Sequence, residues 1–127
     1  MTEPVELNAL TSIVIEECIG IHRNLGPGLL ESVYETVLMG ALVRRGLEVD
    51  RQVPVDIEYD GMKFPAAFRM DILVENALVL EIKSVDRLSN LHAKQLLTYL
   101  RLTDSRLGLL LNFSGETMKE GIRRIAN

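Results

Sequence analysis

The sequence predicts an α/β domain built on a mixed sheet, and three observations carry that expectation. The first 45 residues hold two stretches with apolar residues at three- and four-residue steps. From about Gln52 the texture changes to strict alternation, broken by Asp60-Gly61. Two later apolar runs, Ala77–Lys83 and Arg106–Phe113, flank a segment of helical length.

Taken in order, Leu7, Leu10, Val14, Cys18 and Ile21 mark an amphipathic helix from about Glu6 to Asn24, stopped by Gly26-Pro27. A second helix is expected from Leu29 to Arg45, with Gly46 as its left-handed cap and Gly26-Pro27-Gly28 as the corner between the two. Val53, Val55, Ile57 and Tyr59 form one face of a strand, and its return strand runs from Met62 to Val74. Pro54 and Pro65 each remove a ladder donor, which places part of this hairpin at a sheet edge or a bulge. A turn near Glu75-Asn76 leads into the third strand. Ser89 caps a helix over Asn90–Leu102, and Leu107-Gly108-Leu109-Leu110-Leu111 reads as a buried strand. That strand–helix–strand step suits a parallel crossover. Met118–Ala126 is ambiguous between a short helix and an edge strand, with the strand favoured. The expected order is α-α-β-β-β-α-β, as one domain over residues 1–127.

Composition narrows the function. With 47% hydrophobic residues the chain can bury a core, and 14 Lys plus Arg against 18 Asp plus Glu give a net charge of −4. That balance does not suit a protein that coats nucleic acid by charge alone. The single Cys18 excludes an intrachain disulfide and reads as a buried apolar residue. Met1-Thr2-Glu3-Pro4 has neither the basic start nor the apolar run of a secretory leader, and no stretch has the length of a membrane span. The expectation is a cytoplasmic protein. His22-Arg23 reads as a pair of cations at a helix end, and His92 as a partly exposed structural residue.

Three polar residues stand out in the strands. Asp71 interrupts an apolar run in the second strand, and Glu81 and Lys83, two apart, share one face of the third. Whether Asp71 joins them depends on the turn. A two-residue loop at Glu75-Asn76 sets Asp71 opposite Leu80 and sends Glu81 to the other face. A three-residue loop, Val74-Glu75-Asn76, sets Asp71 opposite Val79 and makes Glu81 its diagonal neighbour, roughly 7–8 Å away. A shared site therefore requires an odd-length turn or a compensating bulge. Two carboxylates offer hard oxygen ligands to Mg²⁺ or Mn²⁺, and a lysine can orient water or offset charge on a phosphate. An Asp…Glu-x-Lys pattern alone is also what a solvated strand face looks like.

The rest of the chain adds to it. Gly28-Leu29-Leu30-Glu31-Ser32-Val33-Tyr34, Asp71 with Glu81-Ile82-Lys83, and Gln95-Leu96-Leu97-Thr98-Tyr99 together resemble the PD-(D/E)XK nuclease superfamily. More closely, they resemble its small bacterial branch of GxxExxY proteins, with the Gln-x-x-x-Tyr element of RecB-type nucleases. Met70 stands where the superfamily name has proline. The resemblance implies a restriction-endonuclease-like α-β-β-β-α-β core with an extra N-terminal helix. It implies a metal-dependent hydrolase of phosphodiesters in nucleic acid, DNA foremost. Glu31, Asp71, Glu81 and the Ile82 carbonyl would be metal ligands for Mg²⁺ or Mn²⁺, and Lys83 would serve the attacking water. Gln95, Tyr99 and Tyr34 would support the site or bind phosphate. A non-catalytic interaction or accessory module on the same fold is the alternative, and a homodimer or accessory protein could supply further surface.

Overall fold

The computed structural model describes residues 6–127. The reading of the N-terminus as leaderless rests on Met1-Thr2-Glu3-Pro4 and lies outside the described residues. Helices α1 (Leu7–Leu25) and α2 (Glu31–Arg44) precede strands β1 (Val49–Tyr59), β2 (Met62–Val74) and β3 (Leu78–Lys83). Helix α3 (Asn90–Leu102), strand β4 (Leu107–Asn112) and strand β5 (Ile122–Ala126) follow, with a 3₁₀ turn at Lys119–Gly121 leading into β5. The ambiguous C-terminal stretch is thus an edge strand with a tight turn before it. The sheet order is β1-β2-β3-β4-β5. Among the described residues only β3 and β4 are parallel, joined by the α3 crossover, so the sheet is mixed as expected. Among the described residues no helix is long and apolar enough to cross a membrane.

Alternation along the strands sorts the core onto two faces. Leu78, Leu80 and Ile82 of β3 pack with Leu10, Val14, Leu38 and Leu42 of α1 and α2. Val79 faces the other way and packs with Leu96 and Leu100 of α3. Each such Leu or Val contributes roughly 1.5–3 kcal/mol by leaving water. Gly108 lets α3 approach: a Cβ there would stand 3.1 Å from the Leu96 methyls. Cys18 lies in the α1–α2 core with no exposed surface, and burial raises its thiol pKa strongly.

The local stop and start signals act as expected. Gly26 (φ 78°) ends α1 and Gly46 (φ 82°) follows α2, both in the left-handed region. Asp60 (φ 52°) and Gly61 (φ 75°) make the β1–β2 turn. Pro54 lies on edge strand β1, and Pro65 falls in the irregular stretch between Phe64 and Phe68 where the register shifts. Ser89 caps α3 reciprocally: its hydroxyl accepts from the His92 N–H, and His92 Nδ1 accepts from the Ser89 N–H. His22 departs from expectation. It is buried, and its Nε2 donates to the Gly115 carbonyl at 2.9 Å, tying α1 to the loop after β4 rather than only meeting the helix dipole.

Candidate active site

The geometry begins with the β2–β3 turn. Glu75 (φ 51°) and Asn76 (φ 51°) are both left-handed, and the Ala77 N–H donates to the Val74 carbonyl at 3.0 Å. Yet Val74 stands opposite Leu78, which leaves Ala77 as an extra residue. The connection is therefore odd in length, though it is Glu75-Asn76-Ala77 and not Val74-Glu75-Asn76. Ile72 pairs with Leu80, so one step further along Asp71 stands directly opposite Glu81 instead of diagonal to it.

Two like-charged residues placed opposite each other repel, and here the backbone ladder gives way to side chains. The Ile82 N–H donates to Asp71 Oδ2 at 2.8 Å, and the Asp71 N–H donates to Glu81 Oε1 at 3.4 Å. Each carboxylate reaches across to the opposite strand. The carbonyl of a strand residue points to the same side as its own N–H, so the Ile82 carbonyl faces this opening as well. On the other side of β3, the Lys83 carbonyl accepts from the Phe113 N–H and holds the strand to β4.

Strand β2 also changes face here. Ile72 and Val74 belong to the α1–α2 core, whereas Met70, which simple alternation would place beside them, belongs to the α3 side. The matching irregularity on β1 is Gln52, held at φ 49°. This twist puts Asp71 on the wall of an open cavity of about 790 Å³, with Glu31, Glu35, Gln52, Ser84 and Ser114 around it.

Burial and mutual repulsion set the electrostatics. Glu81 is only 6% exposed. Burial first, and the Asp71 charge second, push its pKa up to about 8, against the Asp71 N–H and the Lys83 ammonium, which lower it. Asp71 is raised too, by burial and by Glu35 and Glu31, while the Ile82 N–H and Lys83 pull it down. The Tyr99 hydroxyl is also raised, chiefly by desolvation and then by the charges of Glu81 and Asp71. These are the couplings expected of an acidic cluster with one cation beside it.

Glu31 opens α2, and its Oε1 accepts from the Ser84 N–H at 3.3 Å, which brings it to the end of β3. Tyr34 is fully buried and stacks on Phe113 with ring centroids 4.5 Å apart. Its hydroxyl donates to the Gly26 carbonyl at 2.6 Å and accepts from the Leu29 N–H at 3.1 Å, so it braces the corner and does not face a phosphate. Tyr99 lies flat on Phe68 at 4.0 Å, beside the carboxylates. Gln95 is exposed and has no hydrogen bond among the described residues. His92 is committed to the α3 cap.

Sequence reasoning missed Glu35, Gln52, Ser84 and Ser114. Glu35 is 6% exposed, and its Oε2 accepts from Arg51 Nη2 at 2.8 Å and Nε at 3.2 Å. Its Oε1 accepts from Gln52 Nε2 at 2.7 Å. A polar residue directly after a core tyrosine was the available signal. The donor set around Asp71, Glu81 and Glu31 is all oxygen and mostly anionic, which is the chemistry a hard divalent cation takes. Among the described residues no three His, Cys, Asp or Glu side chains converge closely enough to hold an ion as they stand. Asp71 and Glu81 each have an oxygen engaged by a backbone N–H and a second oxygen still free to turn toward a ligand.

Neither the curated proteins nor the solved structures give a match to this chain. A family model does. It describes the PD-(D/E)XK nuclease superfamily and matches residues 8–125, from the first turns of α1 into β5. With that match spanning nearly the whole described chain, the protein belongs to the PD-(D/E)XK nuclease superfamily.

Proposed function

We propose that the protein is a Mg²⁺- or Mn²⁺-dependent nuclease that hydrolyses phosphodiester bonds, with DNA as the favoured substrate. The observation that carries this reading is the pair Asp71 and Glu81. They stand opposite each other on β2 and β3, Glu81 buried and Asp71 half-buried, with raised pKa values and with Lys83 on the same face two residues on. A protein has little structural reason to withdraw two facing carboxylates from water, since each costs desolvation and both repel. A site that receives a cation has one.

The roles follow from position. Asp71, Glu81, Glu31 and the Ile82 carbonyl hold the metal. When bound, that ion supplies Lewis-acid polarisation of the phosphodiester and eases ionisation of the attacking water. Lys83 lies close enough to lower the pKa of both carboxylates. Its ammonium orients the water and offsets charge that grows on the phosphoryl oxygens. Tyr99 walls the carboxylates on the α3 side, and Gln95 precedes it by one turn with a side chain free to meet substrate. Tyr34 acts from the core by fixing the corner that presents Glu31.

The second reading is an accessory module that kept the fold without the chemistry, and one observation favours it. The cavity wall carries Glu31, Glu35, Asp71 and Asp86 and neither lysine nor arginine, so it offers phosphate little attraction of its own. Incubation of labelled single- and double-stranded DNA with wild type, Asp71→Asn and Lys83→Ala, each with and without Mn²⁺, separates the two. Metal-dependent cleavage by wild type, lost in both variants, supports the nuclease. Metal-independent cleavage, or cleavage that survives Asp71→Asn, overturns it. Binding without cleavage moves the reading to the accessory module.

A further inference from the structure

We infer that Ser84 and Ser114 are positioning residues that set Glu31 against the carboxylate pair, an assignment that rests on the metal site proposed above. Both line the cavity, and two hydroxyls beside an acidic cluster would ordinarily be taken as substrate contacts. Their protons are already committed. The Ser84 hydroxyl lies 2.6 Å from the Leu29 carbonyl, an acceptor only, so Ser84 donates there. Ser84 and Ser114 oxygens are 2.6 Å apart, and with the Ser84 proton spent, Ser114 must donate to Ser84. The Ser114 oxygen in turn accepts from the Gly28 N–H at 3.3 Å. Neither hydroxyl has a proton left for a phosphate.

The chain of bonds grips the segment before α2 at both ends: Ser114 takes the N–H of Gly28, Ser84 the carbonyl of Leu29. Tyr34 takes the Leu29 N–H and the Gly26 carbonyl from the core side. Two residues beyond this grip, Glu31 accepts from the backbone N–H of the same Ser84. Ser84 itself directly follows Lys83. Asn112, 3% exposed, holds Ser114 directly and Ser84 through its neighbour Val85. Its Oδ1 accepts from the N–H of Val85 at 3.0 Å and of Ser114 at 3.2 Å, and its Nδ2 donates to the Val85 carbonyl at 2.8 Å. The carboxylate on α2 is thereby indexed to β3 through β4, over 53 residues of chain between Glu31 and Ser84. Polar groups that orient a ligand without touching the metal carry about 10–100-fold in affinity.

The test is Mn²⁺ titration calorimetry on wild type, Ser84→Ala, Ser84→Thr, Glu31→Gln, Ser84→Ala with Glu31→Gln, and Asp71→Ala, with Ser114→Ala as an independent cut of the same chain. Thermal unfolding of each confirms that it is folded. Ser84→Ala and Ser114→Ala should each weaken Mn²⁺ by about 10-fold, and Ser84→Thr should restore it. In the Glu31→Gln background, Ser84→Ala should add less than about 2-fold, because the residue it acts through is gone. Wild-type affinity in Ser84→Ala, or a full additional loss in the double variant, overturns the assignment and leaves the metal site standing. Undiminished binding by Asp71→Ala overturns the metal site itself, and the assignment with it.

Discussion

Glu35 and Glu81 are equally buried carboxylates, each close to Asp71, and their surroundings differ in kind. Glu35 is balanced inside the chain: Arg51 donates to it twice and Gln52 once. Glu81 faces another carboxylate and accepts from one backbone N–H. Glu35 is thus a finished structural element, while Glu81 and Asp71 face each other with Lys83 alone to offset their charge, a balance that the proposed metal would complete. Burial alone does not mark a functional carboxylate. Burial without compensation does.

The comparison can be broken in four ways, from the largest expected effect to the smallest. Asp71→Asn and Glu81→Gln remove the charge that the proposed chemistry requires, and each should reduce cleavage of labelled DNA by at least about 100-fold while leaving the protein folded. Glu81→Gln should also stabilise the metal-free protein. The folded pKa of Glu81 is raised to about 8, so its contribution to stability is fully present below its unfolded value and is lost as pH rises through 8. Urea unfolding should show the variant ahead by an amount on the order of a few kcal/mol at pH 9, with no advantage below about pH 4.5. The opposite sign is expected at Glu35. Arg51→Met makes its carboxylate resemble Glu81 and should destabilise the protein by about 2 kcal/mol at neutral pH. That figure lies below the cost of breaking a fully buried pair because the Arg51 side chain is 33% exposed. Finally, Mn²⁺ at about 10 times its Kd should raise the unfolding free energy of wild type by about 1.4 kcal/mol and that of Asp71→Ala by none, read from the same urea curves.

Much of this was legible in the sequence, for identifiable reasons. The element order follows from periodicity and from Gly26, Gly46 and Asp60-Gly61, whose left-handed backbones leave few alternatives. Asp71, Glu81 and Lys83 stand out because charge in an apolar strand has to be accounted for. The requirement for an odd-length turn or a bulge could be stated from alternation alone. Which residue is the extra one could not, because Ala77 has none of the chemistry that marks a bulge. Glu35 escaped notice because its partners Arg51 and Gln52 lie 16 and 17 residues away, on a strand whose face change has no local signal, and Gln52 escaped with it. Ser84 and Ser114 escaped for a similar reason: small hydroxyls at strand ends look like ordinary turn residues until the two ends are brought together.

That bringing together has an entropic side. Asp71 and Glu81 lie ten residues apart on one hairpin, so the pair is a product of local pairing. Glu31 meets Ser84 across a separation of 53 residues. In chain entropy that closure costs about 1.5 kcal/mol more than one across ten residues. Its grip also needs Ser114, which lies beyond the crossover helix. Loop closure therefore favours the carboxylate pair over its third acidic neighbour, whose grip depends on Ser114 beyond β4. The pair draws on one hairpin, whereas the complete acidic centre draws on both halves of the chain.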